Sequence, residues 1–410
     1  MKPNTFAMRK HIPHDLIISI LSNLPLKSLK RFYCACKSWA LLFEHPHFMN
    51  MFRNNFISRW HSYYDDSCLF LKHDVGDVLY LLSGENKIKF DWPPLHDKIF
   101  VNTPILILGS SVNGILCLYT YKNDYNKIVL WNPTTQEFKF IPSALYEYNP
   151  FELRFPLLYG FGYDHVTDDY KVIQYNRFYK HFTWEMYSLR SNSWKKIPAL
   201  DHVGTVLNNY PTGMDVHLNG VCHWMDEISR RLDKAPTETE ITAYLVSFDL
   251  TNEVVLTTPL PIKKCEARPV CHGPPCFLQT HLTVLNGSIA FISNCEDATT
   301  TFHISVLGQL GVQESWTKLF IIGPLPGLEH LPIGIGRKGD VLFKIDDKLA
   351  WFDLSTQMIM EVGVREESIL AIVVGSIEPS TIRLLSDHLQ MFSYANLMLE
   401  MFNPRHEGVY

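Results

Sequence analysis

Residues 131–142 read WNPTTQEFKFIP, and the same pattern returns further along the chain. It aligns without gaps on YSLRSNSWKKIP at 187–198, FDLTNEVVLTTP at 248–259 and FDLSTQMIMEV at 352–362. Each copy has an aromatic residue, a small polar segment and then a large apolar residue, which is typical of a strand end, a turn and a new strand. The last gap is nearly twice the others, which predicts a diverged copy near residue 300, and VLGQLGVQESWTKL at 306–319 is the candidate.

The spacing of these copies, about 55 residues, is that of a four-stranded unit, and such units stacked radially form a β-propeller. From about residue 60 onward, short apolar runs alternate with Gly, Asn, Asp and Pro, a pattern typical of all-β domains. Asn-Gly pairs at 113–114, 219–220 and 286–287 each precede an apolar run, as tight hairpin turns do. We therefore predict an all-β propeller of about six to eight blades.

The region before the repeats has a different period. Residues 12–52 read IPHDLIISILSNLPLKSLKRFYCACKSWALLFEHPHFMNMF. Apolar residues recur there at helical spacing, first at Leu16, Ile17, Ile20, Leu21 and Leu24 and then at Leu29, Phe32, Cys36 and Trp39. Pro13 suits the first turn of a helix and Pro25 ends it. We predict two or three short helices, too few to be stable without support from a partner or the next domain.

Composition and charge limit the kind of protein this is. The chain has 410 residues, of which 46% are hydrophobic and 19% charged, with a net charge of -5. This excludes a nucleic-acid binder that works by overall charge. Residues 1–60 hold nine Lys or Arg against two acidic residues, so a basic head and an acidic body predict two modules with different partners. The apolar stretch at 16–21 is too short to span a membrane, and the nine cysteines, without a visible secretory signal, are read as reduced thiols of the cytoplasm or the nucleus.

The helical region resembles the F-box. The matches to that family's pattern are Ile12-Pro13, Asp15-Leu16, Ile20-Leu21, Leu24-Pro25, Leu29, Arg31-Phe32, Cys36-Lys37-Ser38-Trp39 and Pro46-His47-Phe48. The resemblance implies docking to a Skp-family adaptor and, through it, to a cullin-based ubiquitin ligase. The residues expected at that interface are Pro13, Leu16, Ile17, Ile20, Leu21, Leu24, Pro25 and Leu29. Phe32 and Trp39 are expected in the internal core. Periodicity alone leaves open a helical cap whose apolar residues are all internal.

The body resembles the F-box-associated, kelch-like domain of plant F-box proteins. The segments that carry this resemblance, in order, are NGILCLYT, KIVLWNPTTQEFKFIP, GFGYDHVTDDYKVIQY, MYSLRSNSWKKIP, LNGVCHWM and FDLTNEVV. The expected fold class is an α+β multidomain protein with a small all-α F-box followed by the propeller. The expected divisions are a tail at 1–10, the F-box at 11–52, a helical connector at 53–67, the propeller at 68–400 and a tail at 401–410.

Other motifs are better explained as structure than as chemistry. GIGRKG at 334–339 leads into an apolar strand, so it predicts a hairpin and not a dinucleotide site. Cys265, Cys271, His272 and Cys276 lack the paired spacing of a structural zinc site. The carboxylates in YDHVTDDYKV fit a turn between strands; this segment holds Asp164, His165, Asp168 and Asp169. Cys34 has basic neighbours in sequence, but a packed helical thiol is the favoured interpretation.

These observations favour an interaction protein, a non-catalytic substrate-recognition subunit of an SCF ubiquitin ligase. No catalytic residue, metal or cofactor is expected, and neither is binding to nucleic acid or a membrane. A target protein would bind loops such as 143–156, 202–215, 226–240 and 264–280. The alternatives are an F-box protein that acts with its adaptor outside degradation, and a propeller enzyme. The enzyme hypothesis predicts titratable side chains with perturbed pKa values clustered in one pocket.

Overall fold

A computed structural model describes most of the chain. The residues it describes are 13–33, 37–58, 67–73, 79–83, 86–90, 92, 105–120, 127–133, 135–143, 155–177, 182–200, 215–232, 235–261, 280–294, 301–325, 332, 334–335, 340–345, 348–365 and 369–376. Over these residues the chain forms a helical module followed by a β-propeller. Both parts of the predicted architecture are thereby confirmed.

The N-terminal module is helical, and prolines stand at the starts of three of its helices. The helices are α1 His14–Ser22, α2 Leu26–Tyr33, α3 Lys37–Glu44 and α4 Pro46–Ser58. Pro13 lies directly before α1, and its carbonyl accepts hydrogen bonds from the amides of Leu16 and Ile17 at 3.1 and 3.2 Å. The carbonyl of Pro25 does the same for α2, and α1, which Pro25 was predicted to end, already ends at Ser22. The fourth helix exceeds the two or three predicted for the module, and its last residues, 53–58, overlap the predicted helical connector at 53–67. It begins at Pro46, where a proline needs no hydrogen-bond partner for its nitrogen.

The propeller strands form four-stranded antiparallel sheets. The first three sheets contain β1 Ser67–His73, β2 Leu79–Ser83 and β3 Asn86–Phe90 with β24 Ile369–Ser376; β4 Ile105–Val112, β5 Ile115–Thr120, β6 Ile128–Trp131 and β7 Phe138–Ile141; and β8 Phe155–Asp164, β9 Asp169–Arg177, β10 Phe182–Ser188 and β11 Ser193–Lys196. The other three contain β12 Val216–Leu218, β13 Val221–Leu232, β14 Ala235–Asp249 and β15 Val254–Pro259; β16 Thr280–Leu285, β17 Ser288–Asn294, β18 Phe302–Leu307 and β19 Trp316–Ile322; and β20 Gly334–Ile335, β21 Val341–Ile345, β22 Lys348–Phe352 and β23 Ile359–Arg365. Within the described residues these are six sheets, which we number as blades 1 to 6 in this order.

The blades close into a ring through their innermost strands. Strand β24 contacts β4, β4 contacts β8, β8 contacts β12, β12 contacts β16, β16 contacts β20, and β20 contacts β24. In blade 1 the innermost strand is the last of the propeller, β24, which pairs with β1 from the other end of the domain. Because the two ends share one sheet, opening the ring requires breaking a complete strand pairing. The closing strand ends at Ser376.

The sequence repeat corresponds to the turn between the third and fourth strands of a blade. Its second position holds Asn132, Ser188, Asp249 or Asp353, and in each copy this side chain accepts a hydrogen bond from a backbone amide two to three residues ahead. Its sixth position has a positive φ in every copy; the residues are Gln136, Asn192, Glu253 and Gln357. The diverged copy at 306–319 connects β18 and β19. The predicted corner of a repeating unit is therefore confirmed.

The Asn-Gly pairs also form the predicted turns. At 113–114, 219–220 and 286–287 both residues have positive φ, the conformation that a two-residue hairpin of the favoured hand requires. Each pair connects the first and second strands of its blade. These turns and the repeat turns all lie at the same end of the propeller, because neighbouring strands in each blade run in opposite directions. We call this end the turn face.

Candidate functional site

The exposed apolar surface of α1 is the first candidate for a binding site. Leu16 and Ile20 are four residues apart, on one side of the helix, and they are 54% and 57% exposed. Pro13 and Pro25, which flank α1, are also exposed, and Ile17 and Leu24 are half-buried. Large apolar side chains on an accessible helix face are a common feature of partner-binding surfaces.

Two of the eight residues predicted at this interface lie beneath the surface. Leu21 and Leu29 are buried in an apolar cluster with Phe48, Phe52 and Phe56. The sequence period could not distinguish them, because an apolar stripe at helical spacing can include both buried and exposed side chains, as Leu21 and Leu16 on α1 show. In this structure Leu21 and Leu29 support the exposed side chains from inside the module.

The sequence reasoning missed another exposed residue. Leu41 on α3 is 69% exposed, and it lies within the apolar run ALLF, which gave no periodic signal of its own. Phe32 and Trp39, expected in the core, are half-buried and pack edge to face with ring centroids 5.0 Å apart. Tyr33 donates a hydrogen bond to Glu44 at 3.0 Å, which joins the end of α2 to the end of α3.

The module is anchored on blades 5 and 6. Its buried cluster continues without a break into apolar residues of these two blades, including Leu285, Ile292, Phe320 and Leu354. Asn286, in the first turn of blade 5, donates a hydrogen bond to the carbonyl of Phe56 at 2.6 Å. The prediction that the small module leans on the next domain is therefore confirmed.

Asp164 in the YDHVTDDYKV turn joins two blades. Lys171 donates hydrogen bonds to its carboxylate at 2.7 Å and to the carbonyl of Leu250 at 2.8 Å. Thr251 from blade 4 donates to the same carboxylate at 2.6 Å. Burial alone would raise the pKa of Asp164, but the hydrogen bonds from Lys171, Thr167 and Thr251 hold it well below its ordinary value. The carboxylate is therefore a permanently charged link between blades 3 and 4, not a proton donor at neutral pH.

The other polar residues of this turn also have structural partners. Asp169 accepts hydrogen bonds from the hydroxyl of Ser188 at 2.6 Å and from the backbone amide of Arg190 at 2.8 Å. Asp168 accepts a hydrogen bond from the hydroxyl of Tyr163. The ring of His165 packs edge to face on Tyr163. The interpretation of YDHVTDDYKV as a turn between strands is confirmed.

Perturbed titratable groups occur mainly in the interior of blades 2 to 4. Burial raises the pKa of Asp215 to about 7 and lowers the pKa values of His217 and His223 to about 4 and about 3. Burial and then the charge of Asp215 raise the pKa of the Cys117 and Cys222 thiols. The histidines and cysteines lie on strands and Asp215 directly precedes β12, and loss of hydration is the largest cause of each shift.

Several sequence motifs fall wholly or partly outside the described residues. Of GIGRKG, only Gly334 and Ile335 are described; they form β20, which pairs antiparallel with β21, as the hairpin interpretation predicts. Cys34, Cys265, Cys271, His272 and Cys276 lie outside the description. In the described part of the chain, no helix is long and apolar enough to cross a membrane.

One of the segments predicted to be a target-binding loop is a strand pair. Residues 226–240 were expected to be a loop, but Asp226 pairs with Tyr244 and the ladder continues through Arg231 with Thr239. The neighbouring strands β12 and β15 pair only with the base of this hairpin, so its outer part projects beyond the blade as a two-stranded ribbon. Most of the other three loop segments lies outside the described residues.

Comparisons with known proteins agree with this architecture. The family described as "F-box domain" matches residues 10–50. The family described as "F-box associated beta propeller domain" matches residues 98–385, more than half of the chain. The chain belongs to the F-box proteins with an F-box-associated propeller.

Relatives of this F-box protein occur in Arabidopsis thaliana. An F-box/kelch-repeat protein from that plant is 26% identical over 355 residues, which cover 84% of this chain and 88% of the relative. A second protein, named as a putative F-box protein, is 31% identical over 216 residues, covering 50% of this chain and 53% of the relative. The F-box protein CPR1 is 25% identical over 388 residues, covering 87% of this chain and 85% of the relative. The alignments to the first and third of these relatives each cover more than four fifths of this chain and of the relative.

Proposed function

We propose that this F-box protein is the substrate-recognition subunit of an SCF-type ubiquitin ligase in the cytoplasm or the nucleus. The helical module would bind a Skp-family adaptor, which attaches the protein to a cullin. The propeller would bind a target protein. The subunit itself would contribute no catalytic residue; it would raise the local concentration of target lysines near the ubiquitin-conjugating enzyme.

The exposed pair Leu16 and Ile20 is the observation that supports adaptor binding most directly. Two large aliphatic side chains more than half exposed on one helix become favourable contacts once a partner covers them. The first 60 residues carry an excess of basic residues, which suits an acidic partner surface. We expect Pro13, Ile17, Leu24 and Pro25 to surround this pair, with Leu21 and Leu29 holding α1 in place.

The attachment of the module to the turn face suggests where the target would bind. The connections from second to third strands, and those from one blade to the next, all start and end at the opposite end of the propeller. The ribbon formed by the outer parts of β13 and β14 projects at that opposite end. We propose that the target binds there, on the side of the propeller away from the helical module.

Co-purification with a Skp-family adaptor tests the proposal. The full chain is compared with a Leu16→Asp, Ile20→Asp double variant, because a carboxylate buried against an apolar partner cannot be hydrated. We expect the adaptor affinity to fall about 100-fold or more. Val166→Asp is the matched control, since Val166 is also an aliphatic residue, 77% exposed, but lies in a propeller turn.

The outcome separates adaptor binding from misfolding. We expect the double variant to fold, because its substitutions lie on the surface. A circular dichroism spectrum identical to that of the unsubstituted chain would show that it does. Undiminished adaptor binding by this folded double variant, or no adaptor binding by the unsubstituted chain, would contradict the proposal. Ubiquitination of a captured target, measured with and without residues 1–52, then tests the ligase role.

A further inference from the structure

The outer edge of blade 6 is a free strand edge within the described part of the chain, because β23 is the last strand of its sheet. The backbone amide of Asp353 donates a hydrogen bond to the carbonyl of Met358, just before β23, at 3.0 Å. The backbone polar groups of Met358 therefore face β22. Since these groups alternate in direction along an antiparallel strand, those of Ile359 and Glu361 point away from the sheet, where they can pair with a further strand.

Three consecutive large apolar side chains lie at this edge. Met358, Ile359 and Met360 are 63%, 45% and 58% exposed. Successive side chains of a strand point to opposite faces, so the two methionines lie on one face and Ile359 on the other. An edge strand that exposes apolar side chains on both of its faces is a surface that a protein partner commonly covers.

The outer strands of the other blades are protected against such pairing. Lysine and proline on an edge strand hinder the addition of a further strand. The outer strands of blades 1 to 5, which are β3, β7, β11, β15 and β19, each contain one of these residues; they include Lys89, Lys139, Lys195, Pro259 and Lys318. Strand β23 contains neither lysine nor proline. The edge of blade 6 therefore differs from the others in being open to pairing.

The sequence of this edge is symmetrical in chemical character. Residues 357–361 read QMIME, with a polar residue at each end, a methionine next to each and Ile359 at the centre. Two such strands paired antiparallel about Ile359 place Met358 opposite Met360 of the second copy and Glu361 opposite Gln357 of the second copy. A two-fold axis requires a surface that matches itself in this way.

The neighbouring registers of this pairing fit less well. Centring the pair on Met360 would place the carboxylate of Glu361 opposite the apolar side chain of Ile359. Centring it on Glu361 would place two like charges directly opposite each other, which is destabilising. In the register centred on Ile359, the only charged residue of the segment 357–361 keeps its partner, because Lys348 donates a hydrogen bond to Glu361 at 2.8 Å.

We propose that the outer edge of blade 6 is a homodimer interface, in which residues 357–361 of two copies pair as antiparallel strands about Ile359. The sheet of blade 6 then continues into the sheet of the second copy. Three apolar side chains from each copy cover less than the roughly 800 Å² per partner of a standard interface. We therefore expect a reversible dimer with a dissociation constant of about 10–100 µM. The proposal does not depend on adaptor binding or on the ubiquitin ligase role.

Sedimentation velocity of the full chain, at concentrations from about 1 to 300 µM, tests the proposal because this range brackets the expected dissociation constant. We expect the sedimentation coefficient to rise from that of a monomer to that of a dimer. Ile359→Lys places two ammonium groups across the two-fold axis and should weaken the dimer at least about tenfold. Val254→Lys is the matched control, since Val254 is also the first residue of an outer strand and is 57% exposed.

A charge-pairing experiment separates loss of the interface from loss of the fold. Ile359→Glu alone should be as weak a dimer as Ile359→Lys, because like charges again meet at the axis. An equimolar mixture of the two variants should recover dimers, since each carboxylate then faces an ammonium group. Misfolded chains would not regain dimerisation on mixing.

Disulfide cross-linking tests the register. In the proposed pairing the Cα atoms of the two Ile359 residues are about 5.5 Å apart, which is within reach of a disulfide. The two Glu361 residues are offset by four positions, about 13 Å along the strand, and are out of reach. Under mild oxidation Ile359→Cys should therefore form a covalent dimer and Glu361→Cys should not. The nine native cysteines give both variants the same background.

The results decide the proposal in either direction. A monomer at every concentration, or a dimer that Ile359→Lys weakens no more than Val254→Lys does, would overturn it. If Ile359→Lys failed to fold, equal cross-linking of Ile359→Cys and Glu361→Cys would refute the proposed pairing, and cross-linking of the first alone would support it. The Leu16→Asp, Ile20→Asp variant should dimerise like the unsubstituted chain, which distinguishes failure at this edge from failure of the proposed function.

Discussion

Replacing Asp215 with asparagine should remove a loss of stability that the unsubstituted protein undergoes between pH 5 and pH 8. Asp215 is 7% exposed, and one of its carboxylate oxygens is buried without a hydrogen-bond partner. Two backbone amides, its own and that of Phe161, donate to the carboxyl group, but burial outweighs them and raises its pKa from 3.8 to about 7. Because an amide is neutral at every pH, the variant lacks this cost of ionisation.

The sign of the pH dependence follows from proton linkage. The folded protein holds the proton of Asp215 more tightly than the unfolded chain does, so this residue's contribution to stability is complete below its ordinary pKa and is lost as the pH rises through about 7. A shift from 3.8 to about 7 corresponds to about 4 kcal/mol when the loss is complete. Between pH 5 and pH 8 the loss amounts to about 2.5 kcal/mol.

Urea unfolding at pH 5, 6, 7 and 8 measures the effect as a difference between the two proteins. The buried His217, His223 and His281 have lowered pKa values, which weaken both proteins as the pH falls below about 6.5. This contribution cancels in the comparison. We expect the free energy of unfolding of Asp215→Asn, relative to the unsubstituted chain, to increase by about 2.5 kcal/mol from pH 5 to pH 8.

An unfavourable constant offset does not affect this test. The new amide must bury an NH₂ group near the oxygen that lacks a partner, which costs about 1–3 kcal/mol at every pH. The prediction concerns only the slope with pH. Two unfolding free energies that stay parallel across this range would refute the reasoning and show that Asp215 ionises normally in the folded protein.

Two further predictions concern the space around Gly109 and the hydrogen bond that joins Asn286 to α4. Gly109 and Gly287 both have positive φ, but a Cβ on Gly109 would lie 2.5 Å from the carbonyl oxygen of Asp215, whereas nothing lies within 4 Å of one on Gly287. We therefore expect Gly109→Ala to lower the free energy of unfolding by about 3 kcal/mol or more and Gly287→Ala by about 1 kcal/mol, and equal losses in urea unfolding would contradict this. Asn286→Gly keeps its turn but removes the hydrogen bond to Phe56, so hydrogen exchange at the end of α4 should accelerate about fivefold. Asn219→Gly, in the equivalent turn of blade 4, should leave that exchange unchanged; similar acceleration in both variants would show that the bond does not hold α4.

The parts of the fold that could be predicted are those specified by neighbouring residues. The repeat turn is an example, because the side chain at its second position bonds to amides only two to three residues away. Asn-Gly pairs are another, since both residues tolerate the positive φ that the turn demands. The positive φ at Gln136, Glu253 and Gln357 could not be expected from residue type, because none of these is glycine. The side chain at the second position of the same turn holds the backbone in that conformation through its hydrogen bonds to backbone amides.

The parts that could not be predicted depend on residues far apart in the chain. The pairing of β24 with β1 joins segments about 300 residues apart, and no local pattern marks either strand as a partner of the other. Residues 226–240 were expected to be a loop because their composition does not repeat and shows no periodicity, yet a ladder of backbone hydrogen bonds does not require a periodic pattern of apolar side chains. Leu21 and Leu29 were placed at the adaptor interface because a helical period reveals an apolar stripe without revealing what covers each part of it.

The attachment of the helical module fixes its orientation relative to the opposite end of the propeller. Helix α4 contacts the turn face through Asn286 and shares a continuous buried cluster with blades 5 and 6. A module held by one hydrogen bond would swing freely, but burial of Phe48, Phe52 and Phe56 contributes several kcal/mol and fixes its orientation. The closed ring of inner strands then extends this rigid connection to the opposite end. Under the proposed function, a target bound there would be held at a defined distance and direction from an adaptor bound to α1. A fixed distance and direction of this kind would place the lysines of the target near the ubiquitin-conjugating enzyme.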